Sequence, residues 1–232
     1  MIRNILFDLD NTILDFSRSE KIALCGALRR MGIQPEDSLL KRYGEINTAQ
    51  WALLEQKKAT RDEVKLNRFQ LLFDEMGFSC SAPQTAEMYE SLLKGSCFWM
   101  DGAQAMLADL SRSCALYIVT NGMADIQHTR IQAAGLERWI QKTFISEEIG
   151  FDKPDREFFA RVFAQIPGFR PETALMVGDS LTSDIRGGRD AGLRTVWFNP
   201  GGKVPRPEDP LPDETISALS QLPPLLSRLS SE

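Results

Sequence analysis

The sequence predicts an α/β protein, a parallel sheet covered by helices on both faces and interrupted early by an all-helical insert. Three observations lead there. Apolar runs of strand length recur at 5–7, 115–120, 174–179 and 195–198, with a weaker one at 142–146. Helical patterns fill the gaps between the later runs, and such alternation is the signature of a parallel sheet buried on both sides. From about 17 to 95 the alternation stops and only helical signals remain.

Taken in order, Ile5 to Phe7 form a short buried strand inside "ILFDLDNTIL", which then turns polar. The insert opens with "SRSEKIALCGALRRMG", where Ser17 and Glu20 have the spacing of a capping box, and continues through "PEDSLLKRYGEINTAQWALLEQ". Its third helix, "TRDEVKLNRFQLLFDEMG", carries a Thr60/Glu63 capping box, a closing Gly77 and a Phe69/Leu72/Phe73 stripe suited to a core; "PQTAEMYESLL" supplies a fourth. After the strand "ALYIVT" a helix is expected over 123–134, closed by Gly135 in a left-handed cap. Helices at 155–165 and 182–191 follow, the second opened by Ser180, Thr182 or Ser183 and ended by Gly192. The tail runs through a proline-rich loop into a last short helix.

Composition narrows the function. With 232 residues and 43% hydrophobic content the chain can bury a substantial core. A formal charge of −5 gives no basic footprint for a nucleic-acid polymer. The four cysteines, at 25, 80, 97 and 114, are widely spaced with no C-x-x-C pair, which reads as reduced thiols in a cytoplasmic protein. No basic-then-apolar leader precedes the first strand and no apolar run approaches membrane length, so neither export nor a membrane partner is expected. We read the chain as a monomer or a weak homodimer. His128 is the single histidine, which disfavours imidazole-rich metal sites and most serine or cysteine hydrolase triads; catalysis would rest on carboxylates, lysine and hydroxyls.

In open α/β sheets the site lies beyond the carboxyl ends of the strands. There the sequence places Asp8 and Asp10, then Thr120, Asn121 and Gly122, then Lys153 in "FDKPD", then Asp179 and Asp184 in "GDSLTSD". Two carboxylates at such a crest repel by a few kcal/mol at an effective dielectric of about 20, so the cluster calls for a cation. Oxygen donors without imidazole or thiolate select a hard ion, Mg²⁺ ahead of zinc or copper. Lys153 adds a fixed positive charge, and "TNG" leading into a helix offers a hydroxyl and backbone N–H groups for a phosphate. Each motif alone has an ordinary explanation as a turn, a cap or a solvated loop. Four of them, in fixed order at four strand ends, point to one shared site.

On these residues the sequence resembles the haloacid-dehalogenase-like superfamily of phosphotransferases, with "DLDNT", "VTNG", "DKPD" and "GDSLTSD" as its four motifs. "INTAQW", "ISEEIGFDKP" and "MVGDSLTSDIRGGRDAGL" are similar to its pyrimidine 5'-nucleotidase and house-cleaning nucleotide phosphatase branch. The resemblance implies a Rossmann-like core over 1–16 and 96–232 with a helical cap over 17–95 that closes over it. It implies Asp8 as the nucleophile that becomes an aspartyl phosphate and Asp10 as the proton donor and acceptor. It further implies Mg²⁺ held by the Asp8 carboxylate, the Asp10 carbonyl and Asp179, with Asp184 beside them. Thr120 and Lys153 would hold phosphoryl oxygens, with N–H groups near Leu9, Asn121 and Gly122 completing the cradle. An acid at position 10 favours phosphoesters over dehalogenation, because an alkoxide leaving group needs a proton and a halide does not. The expected activity is hydrolysis of a small phosphomonoester, led by nucleoside 5'-monophosphates. Sugar phosphates or phosphoglycolate, phosphosugar mutase chemistry and a silent binding protein are the alternatives. In the insert, Asn47 and Trp51 lie four apart on one helical face and are the candidates to read and stack on a base; ordinary helix packing is the competing reading.

Overall fold

The computed structural model describes residues 1–229. The chain folds as two compact units, one formed by Met1–Phe16 with the residues from Phe98 on, the other by Ser17–Cys97.

The first unit is built on six strands, β1 (Asn4–Phe7), β2 (Ala115–Thr120), β3 (Ile140–Ile145), β4 (Ala174–Gly178), β5 (Arg194–Phe198) and β6 (Glu214–Ile216). They form one parallel sheet in the order β3-β2-β1-β4-β5-β6, a Rossmann-like architecture as expected. β1 sits between β2 and β4, so the chain crosses from one side of the first strand to the other, and ligand crevices form at such reversals. In register, Phe7 lies opposite Ile118 on one side and Val177 on the other. Ile5, Leu6 and Phe7 are fully buried, as a central strand covered on both faces requires. On one face Leu6, Val119, Phe144 and Met176 pack with Phe158, Phe159 and Val162. Each such side chain contributes about 1.5–3 kcal/mol by leaving water. β6 was not foreseen from the sequence.

Among the described residues the α-helices of this unit are α5 (Ala103–Leu110), α6 (Ala124–Ala134), α7 (Ser146–Ile149), α8 (Arg156–Ala164), α9 (Arg186–Asp190) and α10 (Leu222–Leu229); the four earlier in the chain belong to the insert. Gly135 closes α6 with φ +62, as expected of a left-handed cap. The helix expected at 182–191 begins as a wide π-type turn, Leu181–Ile185, before α9; Ser180 opens it by accepting from Ser183 N.

The second unit is all helical: α1 (Phe16–Arg30, reaching back one residue), α2 (Asp37–Glu55), α3 (Arg61–Met76) and α4 (Ala82–Lys94). The Thr60/Glu63 capping box is present and Gly77 ends α3 at φ +71. α1 begins at Phe16, one residue before Ser17, and Glu20 Oε1 turns into the bundle, accepting from Asn47 Nδ2 at 2.8 Å and Tyr89 OH at 3.3 Å. Tyr43, Phe69, Phe73 and Tyr89 fill the core, Phe69 lying 5.4 Å from Tyr43 and 5.6 Å from Tyr89 between ring centroids. Among the described residues no helix is long and apolar enough to cross a membrane.

The backbone leaves the sheet-bearing unit and returns to it at one place. Leu14 bridges Trp99, Asp15 N donates to Phe98 O at 2.9 Å, and Met100 N donates to Ile13 O at 3.0 Å.

Candidate active site

Three adjacent strands deliver the first side chains. Asp8 follows β1 and still holds the ladder, donating its N–H to Val177 O at 2.9 Å; Thr120 ends β2 and Asp179 follows β4. Neighbouring strands lie about 4.8 Å apart, so residues at these ends are placed side by side by the topology itself.

Lys153 joins them from the loop before α8. Its backbone is gripped by the Asn121 amide, which donates to Lys153 O and accepts from Lys153 N, both at 2.8 Å. Asp155 caps α8 by accepting from Glu157 N at 2.9 Å. The Lys153 ammonium, 1% exposed, has three N–H donors and meets three acceptors: Asp8 Oδ1 and Asp184 Oδ1 at 2.7 Å and Val119 O at 2.8 Å. Burial works against its charge, but Asp184 and Asp8 more than offset this and hold it above the usual ammonium range. Asp184 Oδ2 accepts from Ser180 N at 3.1 Å. Gly178 makes this approach possible, since a Cβ there would collide with Asp184 Oδ2.

Asp8, Asp179 and Asp184 bring carboxylate oxygens within 4.8 Å of one another. Burial drives the Asp8 carboxyl well above the usual range; Lys153 opposes that rise, while Asp184, Asp179 and Asp10 add to it. Burial, then Asp184, raises Asp179 to about 7, against Lys203 and Lys153. The Lys203 ammonium stands 3.9 Å from Asp179 Oδ2. An all-oxygen set carrying more negative charge than one ammonium offsets fits a hard divalent cation. The raised carboxyls also set a pH dependence. A carboxyl whose pKa is higher folded than unfolded stabilises the fold below its unfolded value, and that contribution is lost as pH rises through the folded one. In chelator, therefore, the melting temperature should fall between about pH 5 and pH 8 by a few degrees, and Mg²⁺ should restore it at the upper end. A flat chelated profile would show that these carboxyls do not titrate as described.

Asp10 has other company. Its carboxylate lies outside the three-acid cluster, with Oδ1 2.5 Å from Arg130 Nη1 and Oδ2 accepting from Gln127 Nε2 at 2.7 Å. Gln127 Nε2 also donates to Thr120 Oγ1 at 2.9 Å, and Gln127 Oε1 accepts from Arg130 Nη1 at 2.9 Å. Gly122 leaves room for this amide: a Cβ there would meet Gln127 Nε2 at 2.6 Å.

Of the residues singled out in the sequence, Asp8, Lys153, Asp179 and Asp184 meet at the crest, and Asp10 and Thr120 meet through Gln127. Asn121 grips Lys153 with its side chain, and Gly122 accommodates Gln127. Asn47 and Trp51 lie in the helical unit. The Asn47 amide is buried between Glu20 and Arg68, whose Nη1 is 3.5 Å from Asn47 Oδ1, and Trp51 is half-buried. His128 is exposed and paired with Glu148 at 2.8 Å. Sequence reasoning missed Gln127 and Arg130; their spacing of three on the helix that follows "TNG" was the available signal.

Residues 2–192 match the haloacid dehalogenase-like hydrolase family. The chain belongs to this family. The HAD-hydrolase YfnB of Bacillus subtilis, named for the family and not for a substrate, is 39% identical over 95% of this chain and 93% of its own. Its crystal structure, bound to magnesium and described as revealing interdomain movement, superposes with a TM-score of 0.92 over 97% of this chain and 98% of that one. The pyrimidine 5'-nucleotidase PynA of Streptococcus pneumoniae is 39% identical over 84% of this chain and 83% of its own. The pyrimidine 5'-nucleotidase YjjG of Escherichia coli is 27% identical over 97% of both. As a haloacid dehalogenase-like hydrolase, this chain keeps an acid at position 10 and a fully enclosed lysine at the centre of its carboxylates.

Proposed function

We propose that this haloacid dehalogenase-like hydrolase is a Mg²⁺-dependent phosphomonoesterase working through an aspartyl phosphate on Asp8, with nucleoside 5'-monophosphates as its leading substrate class. The observation that carries the reading is the Lys153 ammonium shared by Asp8 and Asp184 beside Asp179, with a second, separately held acid two residues from Asp8. Asp8 and Asp179 would hold the ion together with the Asp10 carbonyl. Asp184, already engaged by Lys153 and Ser180, orients that set. Bound there, Mg²⁺ supplies charge neutralisation for the incoming phosphate.

The chain's own residues then perform two displacements. Asp8 attacks phosphorus as the P–O bond to the leaving group breaks, and the departing oxygen keeps the bonding pair and takes a proton from Asp10. Water next attacks the aspartyl phosphate, giving its proton to Asp10, and the P–O bond to Asp8 breaks to return the carboxylate and release phosphate. Splitting one difficult step in two is what a covalent nucleophile contributes. The Lys153 ammonium offsets the negative charge of the phosphoryl oxygens, and the Thr120 hydroxyl donates a hydrogen bond to one of them. The nucleotide preference is supported by the names of PynA and YjjG. In the same reading the helical unit over 17–95 serves as a cap and Trp51 stacks on the base, while Asn47 would read the base only by leaving its bonds to Glu20 and Arg68.

Phosphate release measured across nucleoside 5'-monophosphates, sugar phosphates and phosphoglycolate tests this. Release should be greatest with a nucleotide, vanish in EDTA and return with excess Mg²⁺. No release from any of them would overturn the reading, and full activity in EDTA would remove the metal from it.

A further inference from the structure

We infer that Arg130 and Gln127 form a positioning clamp that aims both the Asp10 proton donor and the Thr120 hydroxyl; this rests on the hydrolase reading above. Neither residue is assigned by the four motifs. Arg130 is completely buried, and an enclosed guanidinium is unfavourable unless a partner offsets its charge. It forms an ion pair with Asp10, an acid at the crest that stands outside the three-carboxylate cluster. Its Nη1 therefore fixes Asp10 Oδ1, while Gln127 Nε2 fixes Oδ2, and together they set the plane of the carboxylate.

The same two residues settle Thr120. Because Arg130 Nη1 donates to Gln127 Oε1, the amide can face Asp10 only with its nitrogen; a flipped amide would set oxygen against carboxylate and nitrogen against guanidinium nitrogen. Gln127 Nε2 then gives its second hydrogen to Thr120 Oγ1, which leaves the threonine's own hydrogen available for a phosphoryl oxygen. Gly122 is the residue whose missing Cβ lets the amide lie there. The guanidinium also sits 5.2 Å from the centre of the Phe16 ring, an aromatic face that favours its charge. A residue buried merely for packing has no need to converge on a proton donor and a phosphate-facing hydroxyl through one shared amide.

Leaving-group selectivity separates positioning from packing. In the first displacement the breaking P–O bond of an alkyl ester needs the Asp10 proton, whereas p-nitrophenolate departs without one, and kcat/KM covers only the steps up to that departure. We would compare p-nitrophenyl phosphate with uridine 5'-monophosphate, or with the best alkyl ester of the panel above. Arg130→Met should lower kcat/KM at least about tenfold more for the alkyl ester than for the aryl ester. Arg130→Lys, which keeps the buried charge, should show the same preference at smaller size, and it carries the test should the methionine variant fail to fold. Asp10→Asn run in parallel should give the largest selectivity. Equal losses on the two esters in both Arg130 variants, or no loss, with Asp10→Asn still selective, would overturn the clamp alone. An Asp10→Asn variant without selectivity would remove the proton donor itself, and the clamp with it.

Discussion

Asp8→Asn should fold normally and release phosphate at least about a thousandfold more slowly than the unmodified chain. An amide of the same shape cannot attack phosphorus, so the first displacement loses its nucleophile. Stability should be unchanged or improved, because Asp8 is buried among Asp184, Asp179 and Asp10, which all disfavour its charge. Removing that charge eases the crowding, and Lys153 retains Asp184 Oδ1 and Val119 O. The paired measurement is a melting curve in chelator and phosphate release in Mg²⁺. Turnover within tenfold of the parent would place the nucleophile elsewhere.

Lys153→Met should be the most damaging single change at the crest for stability, and it should slow the reaction as well. The ammonium is enclosed and its three hydrogens are all engaged, two of them by carboxylates. Breaking a buried pair by removing one partner costs about 3–5 kcal/mol, because the other charge is left uncompensated. In chelator at neutral pH the variant should melt well below the parent. The gap should narrow as pH falls, since protonating Asp8, whose carboxyl burial already pushes up, removes a charge that lost its partner. Activity should drop at least about a hundredfold, the scale of losing one fixed positive charge beside the developing charge of the transition state. Equal melting temperatures in chelator at neutral pH would show that the lysine does not offset these carboxylates.

Much of the framework was legible because it obeys local rules. β1, β2, β4 and β5 are apolar runs ending in polar residues, and Thr60, Glu63, Gly77 and Gly135 mark helix ends by chemistry that acts within a few residues. β6 was not legible: "ETI" is three residues long, follows a proline-rich loop and owes its conformation to pairing with Val196 through Phe198. Part of the role of Glu20 was hidden for a related reason. Its spacing from Ser17 suggests a cap, but a carboxylate near a helix start can also be drawn inward by a tyrosine and an amide from other helices, as Oε1 is here. At the crest, the acids and the lysine stand beside strands and turns that announce them. Arg130 and Gln127 stand on a helix, where a charged or amide side chain normally faces water, and only a contact 120 residues distant in sequence, from Arg130 to Asp10, shows otherwise.

The lacing of Leu14 against Trp99, with Asp15 and Met100 bonded across the same seam, means that both ends of the excursion from 17 to 97 are pinned to one spot on the strand-bearing unit. Lengthening, shortening or wholesale exchange of the helices beyond that seam need not disturb strand register, provided the two anchor points stay paired. Natural variation can thus reshape one half of such an enzyme while leaving its chemical apparatus in tune.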